Sequence, residues 1–365
     1  MILYKNGLVL LGKKLVNTSI VANRGKIVEI APDIVADSQT EVVDCTGKFI
    51  LPAFVDLHVH GGGGYDFNTA NLEQMGKIVE FHANHGVGTL FPTLVADSEE
   101  NLSRQLQLIA ELAKEYPEVK GINLEGPFLS KQKCGAIAPQ FLQNPSMEKF
   151  LHYQQCAKGM IKIVTVAPEL PNAISLTEEL SANGVIVSLG HSNAPASVVE
   201  KALEAGAKCF THWGNAMSQI DRLDVGMMGS ALVDDGCFVE VICDGHHVSK
   251  QAVQLLVKAK GANKVVGISD SIMATGLADG NYKLAGQDVV VQGGQAFLTD
   301  GKTRAGSTLT LDVALANLVT FCKLPLAEAI AMLTTTPAKL VGLSHRIGTI
   351  EIGKDADFTI MGGVA

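Results

Sequence analysis

Phe54-Val55-Asp56-Leu57-His58-Val59-His60-Gly61-Gly62-Gly63-Gly64 reads as an apolar strand that ends in two histidines and a run of glycines. Successive side chains of a strand point to opposite faces, so His58 and His60 share a face, with Asp56 two positions behind them. Two imidazoles aimed at one point have the look of metal ligands. The plainer alternative is two polar residues closing a buried strand before a turn. The glycines lack a Cβ and let other groups approach the strand's end. The rest of the chain decides between these readings.

Seven more apolar runs of strand length follow, at 89–94, 121–125, 161–166, 185–191, 209–212, 238–242 and 265–270. Between them lie stretches with apolar residues three or four apart, at 98–116, 172–182, 195–205 and 249–259, the spacing of one helix face. Strands alternating with helices favour a parallel sheet, and eight repeats predict an α/β fold of the (β/α)8 barrel type. Short β-like runs at 8–10, 19–21, 26–30 and 41–44, split by turns such as Asn23-Arg24-Gly25, precede the barrel, and similar runs at 348–353 and 357–361 follow it. They predict a small β-sandwich domain built from 1–50 and 345–365, around a barrel at 51–344. An inserted β-hairpin is expected near 282–300, a long loop at 130–145, and barrel-closing helices at 308–338.

With 365 residues, 47% of them hydrophobic and 18% charged, the chain can bury a large core and is too apolar for disorder. A net charge of −8 without a basic run argues against nucleic acid as a partner. No stretch approaches the roughly 18 apolar residues of a membrane span, and the start resembles neither a signal nor a targeting leader. Seven cysteines without CxxC spacing argue against a disulfide framework. The expectation is a cytoplasmic enzyme.

Polar residues fall at the strand ends, where a barrel places its site. Glu125 ends the third strand, His191 the fifth, His212 the sixth and Asp270 the eighth. Each alone is more simply a satisfied polar group. Together with His58 and His60 they form a set of imidazoles and carboxylates, the ligands that zinc and similar divalent ions take.

H-x-H after the first strand, Leu124-Glu125-Gly126-Pro127, Gly190-His191-Ser192-Asn193, Thr211-His212-Trp213-Gly214-Asn215-Ala216-Met217, Asp244-Gly245-His246-His247-Val248 and the late Asp270 resemble the N-acetylglucosamine-6-phosphate deacetylases of the amidohydrolase superfamily. The resemblance implies Glu125, His191 and His212 as ligands of a principal divalent ion, zinc favoured over iron or another transition metal. It implies His58 and His60 as holders of a second ion, so one or two ions per subunit. Asp270 matches the catalytic aspartate and His247 a substrate-contacting histidine that donates to the amide carbonyl. Asn215 and Ala216 match positions near the substrate's phosphate. Separately from the resemblance, Gly306-Ser307-Thr308-Leu309 reads as a loop near the substrate, with Ser307 as a contact. The implied partners are a small amino-sugar phosphate and, as a homodimer, a second copy of the chain.

Two positions depart from the family pattern. Ile137 stands where a histidine is expected after Gly135-Ala136, and Arg222 lies one position before the expected phosphate arginine, whose place Leu223 takes. A shifted loop can bring Arg222 to a phosphate; equally, it is an ordinary surface charge. The sequence thus predicts a metal-dependent deacetylase of an N-acetylhexosamine 6-phosphate, the glucosamine epimer favoured. Its alternatives are the galactosamine epimer, another N-acyl amine, and a non-catalytic sugar-phosphate sensor.

Overall fold

In a computed structural model that describes residues 1–362, the chain forms four β-sheets, one of which encloses the centre of the molecule. The expected terminal domain ran to 365, and 363–365 lie outside the described residues. The strands β1 (Ile2–Leu11), β2 (Lys14–Asn23), β3 (Lys26–Ala31), β4 (Glu41–Asp44) and β5 (Phe49–Pro52) form one sheet, joined by a strand from the far end of the chain. β1 breaks register between Tyr4 and Gly7 and pairs with β4 before the break and with β5 after it. The sheet closes over Val9, Ile20, Ile27, Cys45, Ile50 and Ile350.

The barrel follows, from β6 (Phe54–Val59) past a two-residue pair, β7 (Gly61–Gly62) and β8 (Tyr65–Asp66), to β9 (Val87–Val95) and β10 (Ile122–Glu125). It continues through β11 (Ile161–Val166), β12 (Ile186–Leu189), β13 (Cys209–Phe210), β14 (Phe238–Ile242) and β15 (Val265–Ile268). All its ladders are parallel and the hydrogen-bonded order follows the chain, from β6 through β9 to β15. Between β15 and β6 the circle closes through irregular contacts: the Asp270 amide donates to the His58 carbonyl at 2.9 Å, and the Ser269 amide donates to Asp56 Oδ1 at 3.3 Å. This is the eight-stranded α/β barrel that the sequence predicts.

β6 is buried along its whole length because the barrel interior takes one of its faces and the outer helices take the other. The helices Leu72–Asn84, Glu99–Glu115, Ala173–Ala182, Ala196–Glu204 and Lys250–Lys260 supply that outer layer. Their apolar faces join one core with Phe54, Leu57, Phe91, Leu124 and Phe210, where burying each large side chain stabilises by about 1.5–3 kcal/mol. Helices Leu311–Thr320, Leu326–Leu333 and Thr335–Leu340 occupy the region expected to close the barrel.

Two expectations change. The insertion is a three-stranded antiparallel sheet rather than a hairpin: β16 (Gly280–Leu284), β17 (Gln287–Gln292) and β18 (Gln295–Leu298), over its own core of Ile272, Ala274, Leu284, Val289 and Val291. Among the described residues at the end of the chain, only β19 (Phe358–Met361) is a strand, antiparallel to β5. The run at 348–353 is a turn that carries Ile350 into the terminal sheet's core, so its alternation reflects anchoring rather than pairing. Among the described residues, no helix is long and apolar enough to cross a membrane.

Candidate active site

The carboxyl ends of the barrel strands meet in a cavity of about 430 Å³, lined by His60, Glu125, His191, His212, His247 and Asp270 among others. A larger cavity, of about 600 Å³, lies at the strands' opposite ends, between Leu10, Pro52, Thr334 and Gly348, and its lining contains no histidine, aspartate or cysteine. Chemistry therefore belongs to the smaller one.

Glu125 is its centre. Its Oε1 lies 2.9 Å from both His191 Nε2 and His212 Nε2, and its Oε2 lies 3.4 Å from His58 Nε2 and 3.2 Å from His60 Nε2. Asp270 Oδ1 is 3.0 Å from His60 Nε2 and 3.6 Å from His58 Nε2. The ladder between β6 and β9 loses register between Asp56 and Val59, and the Val59 amide donates to Thr93 Oγ1 instead of to a main-chain carbonyl. Such irregularities redirect side chains beside active sites. His191, His212 and Asp270 all have positive φ, of 46°, 30° and 50°. Held off the ordinary strand path, these side chains turn in over the barrel mouth, a strain that only surrounding structure sustains.

The outer nitrogens of three imidazoles are already committed. His191 Nδ1 donates to the Lys133 carbonyl at 2.8 Å, His60 Nδ1 to the Thr93 carbonyl at 3.3 Å, and His58 Nδ1 to Glu240 Oε2 at 3.2 Å. A carbonyl oxygen can only accept, so in the neutral ring the inner Nε2 carries a lone pair. Those lone pairs face one another, 3.2 Å apart for His58 and His60 and 3.1 Å for His191 and His212, and they face the Glu125 oxygens. Acceptors crowded against acceptors call for positive charge between them. The charge balance agrees. Burial pushes Glu125 up, but His58, His191 and His212 outweigh it and hold the carboxyl well below its usual range. Burial pushes His60 down, but Asp270 and Glu125 raise it to about 9. A divalent ion meets the same demand, and two donor groups are close enough to hold one: His58, His60 and Glu125, and Glu125, His191 and His212.

The remaining expected residues fall in different places. His247 lines the cavity, its Nδ1 at 2.7 Å from Asp244 Oδ2. Asn215 and Ala216 line it too, and Ile137 forms an apolar wall packed with Val95, Ala96 and Leu129. Ser307 is buried beneath the cavity with its hydroxyl donating to the Ser269 carbonyl at 2.6 Å, so it braces the Asp270 turn rather than facing a ligand. Arg222 is exposed and outside the cavity lining.

Other contributors were not singled out from the sequence. Glu240 is wholly buried in β14 and reaches both the His58 ring and, at 3.4 Å, the His212 amide. An acid in the middle of an apolar strand was its only signal. His82 is buried, with Nε2 donating to the Gly61 carbonyl at 3.0 Å behind the histidine pair. Trp213 packs, its Nε1 donating to the Met228 carbonyl.

Residues 49–363 match the model of the amidohydrolase family. The chain belongs to that family. Within it, the chain is 33% identical over 346 residues to an N-acetylglucosamine-6-phosphate deacetylase of Bacillus subtilis strain 168, an alignment that covers 93% of this chain and 87% of the relative. It is 32% identical over 318 residues to an N-acetylgalactosamine-6-phosphate deacetylase of Escherichia coli O157:H7, covering 86% and 84%. The solved structure of a variant N-acetyl-D-glucosamine-6-phosphate deacetylase from Mycobacterium smegmatis, in complex with N-acetyl-D-glucosamine-6-phosphate, superposes with a TM-score of 0.93 at 30% identity, covering all of this chain and 95% of that one. This amidohydrolase therefore groups with the hexosamine-phosphate deacetylases in both sequence and fold.

Proposed function

We propose that the enzyme hydrolyses the amide of an N-acetylhexosamine 6-phosphate, N-acetylglucosamine 6-phosphate first, to acetate and the amino-sugar phosphate. The observation that carries this reading is Glu125 standing between two histidine pairs with Asp270 beside it, in a family whose relatives are these deacetylases. Glu125, His191 and His212 hold the principal ion and His58 and His60, with Glu125, a second; imidazole and carboxylate donors favour zinc. When bound, the ion supplies Lewis acidity, polarising an amide oxygen and making water more acidic.

The chain's own groups do the rest. Burial raises Asp270, but His60 and His58 outweigh it and hold the carboxyl below its usual range, so it is ionised and free to take a proton. Its oxygen takes the proton of the attacking water and passes it to the amine nitrogen as the C–N bond breaks, a base turned acid. With Nδ1 held by the ionised Asp244, His247 is oriented to turn Nε2 to the substrate and to stabilise the carbonyl oxygen as charge develops. Asn215 and Ala216 border the sugar phosphate. The apolar Ile137 wall favours a second reading, in which the galactosamine epimer or a different acyl group is preferred. We further place the enzyme in the cytoplasm as a homodimer.

Acetate release by metal-loaded protein from the two N-acetylhexosamine 6-phosphates tests the assignment, and no release from either sinks it. Asp270→Asn should bind metal normally while kcat falls about 10²- to 10⁴-fold; metal binding with no turnover in the parent enzyme would point instead to a sensor.

A further inference from the structure

Three cations line the cavity, Lys133, Lys302 and Arg304, and among the described residues none of them forms an ion pair. Arg304 is the most constrained. Its Nη2 donates to Gln295 Oε1 at 3.1 Å and its guanidinium carbon lies 5.0 Å from the centre of the Phe297 ring. Its Nη1 is buried and has no hydrogen-bond partner among the described residues. A charged donor left in this state is destabilising until an acceptor arrives. The backbone fixes where the side chain starts: Arg304 bridges Phe297 of β18, and three residues on, the Ser307 amide donates to the Asp270 carbonyl at 2.7 Å. The segment that carries Arg304 is thus tied to the turn that carries Asp270.

Arg222 is placed differently. It sits in an exposed turn closed by the Asp221 amide donating to the Asp224 carbonyl, beside a Leu223 that is 80% exposed, and it does not line the cavity of its own subunit.

We propose that Arg304, with Lys302, binds the phosphate of the substrate from within the same subunit, in place of the arginine displaced at 222. The proposal rests on the deacetylase reading above for the identity of the sugar. Guanidinium presents paired donors in the geometry of a phosphate's oxygens, and Lys302 adds a point charge on the same loop. An unphosphorylated N-acetylhexosamine offers neither of them an anionic partner. Recognition in cis also frees the site from needing a second subunit to complete it.

The test compares kcat and KM on N-acetylglucosamine 6-phosphate and on N-acetylglucosamine, together with calorimetric binding of glucosamine 6-phosphate, which reads the clamp without turnover. Arg304→Met should raise KM for the phosphate ester and the dissociation constant of glucosamine 6-phosphate by about 10- to 100-fold, with kcat changing far less. The preference for phosphorylated over neutral sugar should collapse accordingly. Arg304→Lys should recover part of the loss, which a purely packing role would not allow, and Lys302→Ala should give a smaller change in the same direction. If Arg304→Met unfolds the protein, Arg304→Lys and Lys302→Ala carry the comparison. Parameters within about twofold of the parent for both Arg304 variants, with Arg222→Ala weakening both, would overturn the proposal. Glucosamine 6-phosphate that binds in an Arg304-dependent way to an enzyme releasing no acetate would remove the deacetylase reading and leave the clamp. No binding of the sugar phosphate at all would remove the clamp.

Discussion

Glu240 shows how a single residue can govern a site it does not line. It holds the His58 ring by Nδ1 and so aims Nε2 at Glu125. Groups that orient a metal-directed histidine in this way set its tautomer, and their loss typically costs 10- to 100-fold in metal affinity. Glu240→Gln should therefore fold normally and lose about that much affinity at the His58–His60 half, read by competition with a chelator; unchanged affinity would mean that the ring needs no such partner. Five of the residues that converge on the cavity were legible because each is a lone polar group at the end of an apolar run. Glu240 was not, since its partner lies 182 residues away and only the closed barrel brings them together. Arg304 was hidden for the same reason: in the sequence it is one charge in a loop, and only its uncompensated position over the cavity gives it meaning.

At the scale of elements, the stretch 61–64 that follows β6 is a packing device. A Cβ on Gly61 would lie 2.2 Å from the Tyr65 carbonyl oxygen, and one on Gly62 would lie 2.6 Å from Phe81. No rearrangement of a flexible side chain relieves the first of these clashes. Gly61→Ala should displace the main chain next to His60, lowering both thermal stability and the affinity of the neighbouring half-site, while binding at His191 and His212 survives; metal stoichiometry before and after substitution measures this. All eight barrel strands could be read from apolar runs, because a strand buried on both faces leaves a continuous apolar signature. The three-stranded insertion was harder to read. Its strands alternate exposed and buried residues over a small separate core, and its β16 begins before the apolar signal does.

For the whole molecule, His82 makes stability depend on pH. Burial holds it down to about 4, against an ordinary value of 6.5, although the Gly61 carbonyl partly opposes that. Between these values the unfolded chain binds the extra proton, so stability is lost as pH falls from 6.5 towards 4, by up to about 3 kcal/mol from this group. Urea unfolding of metal-free protein across that window should show a steep decline that His82→Gln flattens; equal slopes in the two proteins would assign the decline to other groups.

The terminal sheet has a consequence of timing. β5 takes β19 as its antiparallel neighbour, Pro52 opposite Phe358, and Thr359 Oγ1 reaches back to the Gly86 carbonyl below the barrel. A growing chain presents β5 early and cannot supply β19 until the barrel has been made. Through most of synthesis the edge of β5 stays open, and closing so long a loop is slow. The barrel is thus assembled beside an unfinished sheet, and the arrival of β19 seals both.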